Sequence, residues 1–367
     1  MKLKPFFILL SIIFILGSLF LIKTIPNFIS TQNASREGVL ENHKESNVSE
    51  PELPKITIES IFSEQAHDLK NLDKAKIIRL LATGDVIPAR DVNWKMTKLA
   101  DFDYPFEKTA NLLKKADMTL INLEAPLIKN CPIFRSGFTF CGNQRFINGL
   151  NLAGVDVVSI ANNHIGNFGQ DGIEQTKGIL TKNGVEYVGF GKLVVLETKG
   201  VKFGFLAYNG VGRKIDREAL KAEIAESKKK VDVLIPSIHW GKEYELTPKA
   251  DGDIAPDNPV EISHLMIDAG ADLIIGNHPH TVQGVEIYSG KLITYAHGNF
   301  IFDQTWSQET QEGVVGEYNF YGTQLIDVRF HPIIVDISYQ PQLLSEKDAQ
   351  PVLNRMLKST NIIAGKN

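Results

Sequence analysis

From Ile77 onward the chain alternates short apolar runs, each ending in polar residues, with helix-length amphipathic stretches. The runs Ile77–Thr83, Met118–Asn122, Val155–Ala161, Phe203–Tyr208, Val233–Ile238, Leu273–Ile275 and Leu292–Tyr295 predict strands. Helices are expected over Phe106–Lys115, Gln170–Asn183, Asp216–Lys229 and Val260–Ala269, the last closed by Gly270. Strand and helix alternating in this way define an α/β domain over about residues 77–345. Later runs at Gln324–Phe330 and Ile333–Tyr339 read as antiparallel strands completing a second sheet. The Gln-, Glu- and Gly-rich segment Ser307–Tyr318 reads as a mobile loop, and residues 346–367 as a C-terminal tail.

The N-terminal pattern is different. Pro5–Ile22 (PFFILLSIIFILGSLFLI) carries no charge and is long enough to span a bilayer. No small-residue cleavage site follows it, so residues 1–23 read as an uncleaved single-pass anchor rather than a removed signal. Lys2 and Lys4 precede the span and Lys23 directly follows it, which places the bulk of the chain outside the cytoplasm. Residues 24–76 turn polar, with Pro51 and Pro54, and read as a stem holding a short helix between Glu59 and Leu72.

Composition narrows the function. Of the 367 residues 43% are hydrophobic and 22% charged, which excludes a disordered, collagenous or multi-span membrane protein. With 39 basic against 43 acidic residues no basic field exists to hold nucleic acid. The two cysteines, Cys131 and Cys141, exclude a thiolate zinc cluster and allow a single bridge, expected to form outside the cytoplasm.

In α/β sheets ligands gather beyond the carboxyl ends of strands. Here those ends read Thr83-Gly84-Asp85, Asn122-Leu123-Glu124, Asn162-Asn163-His164, His239-Trp240-Gly241 and Asn277-His278-Pro279-His280. Any one of them alone is more often a helix cap, a polar turn or a packed core histidine. Five together, each at a predicted strand end, point to a site. Carboxylate, amide oxygen and imidazole suit divalent zinc, manganese or iron. With Asp85 as a bridge, Asp85, Glu124, Asn163, His239, His278 and His280 supply enough donors for two ions, leaving positions for water and substrate. Glu243 and Asn299 are expected to line the substrate pocket.

The ordered segments ATGDVIPAR, INLEAPL, SIANNHIGNFGQDGIEQT, IHWGKEY and GADLIIGNHPHTVQGVEIYSGKLITYAHGNFIFDQ resemble CapA-type capsule biosynthesis proteins, themselves similar to calcineurin-like metallophosphatases. The resemblance spans roughly residues 78–305. It implies a four-layer α/β/β/α sandwich with a dinuclear metal site, and a part in poly-γ-glutamate capsule or related surface-polymer synthesis, alongside other subunits of that synthesis. It also implies Asp85 as bridging aspartate, Asn163, His239, His278 and His280 as ligands, and His164 as catalytic histidine. One departure is Ile87, which stands where such phosphatases carry a histidine; no GDxxD follows, leaving Glu124 as the substitute. His297 is another, standing where an apolar residue is expected. The reading that follows is a membrane-anchored, metal-dependent phosphoester hydrolase; its rival is a non-catalytic component that binds or exports the polymer.

Overall fold

Ile77–Val86 is buried from Leu80 to its end, and its neighbouring residues face opposite ways, as pleating requires. Leu80 and Ala82 join one core while Leu81 joins another, so a single strand separates two apolar layers. The computed structural model, which describes residues 52–63 and 69–366, repeats this division throughout.

Two mixed sheets result. The first runs, edge to edge, through Pro341–Leu343, Gln324–Val335, Glu312–Tyr321, Ile77–Val86, Met118–Leu123, Val157–Ser159 and Glu186–Val188, with Asn299–Ile301 also pairing on Ile77–Val86. The second runs through Val285–Tyr288, Lys291–Thr294, Leu273–Asn277, Val233–His239, Val201–Asn209 and Val194–Thr198. Leu80, Leu120 and Val157 of the first sheet share a core with Phe203, Phe205, Val233 and Ile275 of the second, so the sheets stack face to face. Outside the first lie the helices Arg90–Leu99, Ile147–Ala153 and Gly169–Lys182. Outside the second lie Arg217–Lys228 and Pro259–Asp268. Each Leu, Ile or Phe buried fully in these layers contributes roughly 1.5–3 kcal/mol.

Helix ends follow from local chemistry. Asp216 accepts from the Glu218 and Ala219 amides, which starts Arg217–Lys228. Gly270, at φ 119°, closes the turn after Pro259–Asp268.

Several expectations are corrected. The segment Ser307–Tyr318 is not a loop: it holds the short helix Gln308–Gln311 and most of the strand Glu312–Tyr321, nearly all buried. The two late strands are one, Gln324–Val335, and it belongs to the first sheet, antiparallel to Glu312–Tyr321. The helix expected over Phe106–Lys115 is reduced to a 3₁₀ turn at Tyr104–Phe106 and a single turn at Ala110–Leu113. Residues 346–367, expected as a tail, carry the 18-residue helix Glu346–Ile363, whose Val352 and Met356 enter the inter-sheet core. The end of the expected stem also packs: Ile58–Phe62 places Ile61 in that core, and Phe62 stacks on Phe330 at 6.5 Å. Among the described residues no helix is long and apolar enough to cross a membrane; the apolar run Pro5–Ile22 lies outside them.

Candidate metal centre

The parallel strands of both sheets end at the same place. Strand Ile77–Val86 breaks register between Ala82 and Asp85, a bulge that aims the Asp85 side chain while keeping its N–H on the Gly298 carbonyl at 2.9 Å. The strands are so close there that a Cβ on Gly84 would sit 2.1 Å from the Gly298 oxygen, so only glycine fits. Asp85 then lies opposite Asn122 on one side and Asn299 on the other. In the second sheet His239 pairs with Asn277, which sets His278 beside it.

At His278 and His280 the backbone takes φ 103° and 56°, values that side-chain-bearing residues rarely adopt. The imidazoles of His278-Pro279-His280 are therefore presented by left-handed turns on both sides of the proline, with ring centroids 5.9 Å apart.

Acceptors crowd together in the centre. His239 Nε2 lies 2.9 Å from Asn163 Oδ1, 3.1 Å from His278 Nδ1 and 3.2 Å from Glu124 Oε1. One proton on Nε2 cannot satisfy three lone pairs. The last contact lacks hydrogen-bond geometry, and both Glu124 carboxylate oxygens, fully buried, have no hydrogen-bond partner; neither has His278 Nε2. Asp85 is better served, its Oδ1 accepting from Asn122 Nδ2 at 2.7 Å and its Oδ2 lying 3.3 Å from both His280 Nδ1 and the His278 amide. Two three-residue groups offer ligand atoms within 4.8 Å of one another: Glu124, His278, His280 and Asp85, Glu124, His239. Glu124 is common to both, although the sequence pattern suggested Asp85 as the shared residue.

The electrostatics agree. Burial and the Asp85 charge hold the Glu124 carboxyl well above its usual range. Burial pushes His239 down to about 4 and holds His278 well below the usual imidazole range, so both are neutral imidazoles able to donate lone pairs. Burial opposes protonation of His280 too, yet Glu124 and Asp85 outweigh it and raise that ring to about 9. Burial beside Asp85 makes the ionised form of Glu124 costly, and a bound cation would offset that cost. Orphaned carboxylate oxygens, neutral imidazoles and an amide oxygen form the nitrogen-oxygen donor set of a divalent metal site, and these residues fit one.

His164 stands at the mouth. Its Nε2 is 4.0 Å from Glu124 Oε1, its ring stacks on Phe140 at 4.1 Å, and its Nδ1 lies 2.9 Å from Asn167 Oδ1. Burial lowers it to about 4, against the Asn167 hydrogen bond and with help from the charges of His239, His280 and Arg90.

All six candidate ligands and His164 therefore converge. Glu243 sits on the rim, half-exposed, with Oε1 4.0 Å from His280 Nε2. Asn299 does not face a pocket: it is buried, its Oδ1 is 3.0 Å from His280 Nδ1, and its Nδ2 donates to the Thr310 carbonyl at 2.9 Å. Its strand pairs beside Asp85, which turns the amide inward. Ile87 is packed with Ala125 and Phe140 and offers no donor. His297 lies in the core against the Tyr318 hydroxyl at 2.8 Å. Cys131 and Cys141 are joined by a disulfide. Sequence reasoning missed Asn122, Asn167 and the inward role of Asn299. Asn122 was the most accessible of these, being two residues from Glu124 on the same strand end.

Fold and site together define a two-sheet α/β protein with a buried cluster suited to divalent metal. The chain belongs to the bacterial capsule synthesis protein PGA_cap family, whose model matches residues 79–304. It is 28% identical over 306 residues to the PGA biosynthesis protein CapA of Bacillus subtilis strain 168, covering 76% of this chain and 77% of that one. To the capsule biosynthesis protein CapA of Bacillus anthracis it is 25% identical over 329 residues, 82% of this chain and 77% of that one. Among solved structures, a novel phosphatase from Mycoplasma pneumoniae superposes with a TM-score of 0.46 and 13% identity, over 70% of this chain and 94% of that one.

Proposed function

We propose that the chain is a metal-dependent phosphoester hydrolase of the metallophosphatase-like kind. On this reading Pro5–Ile22 tethers it to the cell membrane and it acts outside the cytoplasm, in the synthesis of capsule, poly-γ-glutamate or a related surface polymer, beside other synthesis subunits. The family and the names of the relatives support the biological setting. The observation that carries the chemistry is Glu124, a fully buried carboxyl group whose two oxygens have no hydrogen-bond partner and lie among the imidazoles of His239, His278 and His280 and the Asp85 carboxylate.

Asp85, Glu124, Asn163, His239, His278 and His280 would hold one or two ions of manganese, zinc or iron, with Glu124 the shared ligand. Bound there, such ions supply Lewis-acid charge to a phosphoryl group and acidify water. The protein's own side chains do the rest. Asn122 and His280 fix the Asp85 carboxylate, and Asn299 fixes His280. The neutral His164 ring accepts a proton on Nε2 from the attacking water and passes it to the leaving oxygen. Glu243 on the rim contacts the part of the substrate that projects from the site.

The test is elemental analysis of the full chain purified without added metal, together with hydrolysis of p-nitrophenyl mono- and diesters in the presence of manganese. Metal at one or two equivalents with ester turnover is expected. His164→Ala should abolish turnover and keep the metal, whereas Glu124→Gln should lose both. A metal-free chain without turnover would overturn the hydrolase reading in favour of a polymer-binding component.

A further inference from the structure

Asn167 lies outside the ligand set, yet two groups meet on its side-chain oxygen. The Phe140 amide donates to Asn167 Oδ1 at 2.7 Å, and His164 Nδ1 lies 2.9 Å from the same atom. A backbone N–H can only donate, so it fixes which end of the Asn167 amide faces the cluster; the reversed amide would put N–H against N–H. With that end fixed as an acceptor, His164 Nδ1 must carry the hydrogen. The lone pair of the neutral ring is then left on Nε2, the atom nearer Glu124.

Phe140 contributes twice. Its amide sets the Asn167 orientation, and its ring stacks on the His164 imidazole at 4.1 Å with 28° between planes. Phe140 is itself held: it is buried against Phe302 at 5.7 Å, lies under the Arg90 guanidinium, and precedes Cys141, one end of the disulfide. We propose that Asn167, clamped by the Phe140 main chain in the disulfide-closed loop, is the positioning residue that sets the tautomer and direction of His164.

This rests on the assignment of His164 to proton transfer, but the tautomer can be read without turnover. The full chain is labelled with ¹⁵N-histidine and kept at neutral pH with zinc, which is diamagnetic. Long-range ¹H–¹⁵N spectra then report which ring nitrogen of each histidine bears hydrogen, and the signals of His164 are those missing from His164→Gln. Wild type is expected to show Nδ1–H for His164. Asn167→Ala should abolish that single tautomer, keep the zinc content and cut kcat on p-nitrophenyl esters about 10- to 100-fold with KM little changed. Asn167→Asp, which still offers an oxygen to both donors, should restore the tautomer and much of the rate. Persistence of the Nδ1–H form in Asn167→Ala, or its loss in Asn167→Asp, would overturn the proposal. If no ester is turned over by wild type, the tautomer comparison still decides the positioning, and only the hydrolase reading falls.

Discussion

A carboxylate sealed from water without a hydrogen bond is costly, and Glu124 has two such oxygens. Glu124→Gln keeps the shape and removes the charge. It should lower bound metal below half the wild-type stoichiometry by elemental analysis while leaving the circular dichroism spectrum intact; full retention of metal would remove Glu124 from the ligand set. A second titratable residue, Glu317, lies away from the centre. Burial resists its ionisation, but hydrogen bonds from His331 and Asn319 and the Arg79 charge bring it down to about 2. Its folded value is depressed, so its stabilising effect is present above the unfolded carboxylate range and is lost as pH falls from about 4.5 toward 2. After screening this is on the order of 2 kcal/mol. Urea midpoints of wild type should therefore fall more steeply than those of Glu317→Gln across that window, and parallel acid limbs would contradict the assignment.

Among the elements, the close approach of Ile77–Val86 to Gly298 makes a sharp prediction. Gly84→Ala forces a methyl into the Gly298 carbonyl, against backbone that cannot swing aside, and should destabilise by about 3 kcal/mol or more in chemical denaturation. The helix Glu346–Ile363 makes another. Ser359 Oγ accepts from the Gly284 amide and Thr360 Oγ1 from that of Val285, both at 2.9 Å, which fastens the chain just beyond His278-Pro279-His280. Removing both hydroxyls orphans two buried amides, and Ser359→Ala with Thr360→Val should cost about 2–4 kcal/mol. The same elements show what could be read from the sequence. Strand ends were legible because parallel strands are uniform apolar runs with abrupt polar ends. Glu312–Tyr321 was not legible, because Glu312 and Glu317 are buried on partners far away in the chain, Arg355 for Glu312 and Arg79 for Glu317, while Asn319 is held by Asp327 across the hairpin. Local pattern carries no trace of such distant pairing. The bulge at Asp85 and the left-handed backbone at His278 and His280 were hidden for the same reason, being imposed by neighbouring strands.

For the molecule as a whole, the centre joins two sheets whose shared core is built of apolar side chains. Either three-residue group, Glu124, His278 and His280 or Asp85, Glu124 and His239, draws its residues from both sheets, so an ion held there would favour the folded state. At 100- to 1,000-fold its Kd, such an ion adds roughly 3–4 kcal/mol. Chelation should lower the thermal midpoint of wild type by several degrees and leave that of Glu124→Gln unmoved, as followed by scanning calorimetry.

The bridge between Cys131 and Cys141 ties this assembly to an electron acceptor. Two thiols must give up two electrons and two protons to an oxidant before the segment that carries Phe140 is closed. Closing so short a loop contributes about 2–3 kcal/mol in the chain-entropy account. A polypeptide made where glutathione keeps thiols reduced would fold its sheets and gather its imidazoles, yet leave the Phe140 side of the cleft slack. Recombinant material from such a compartment should gain turnover on mild oxidation alone, with no change in its metal content.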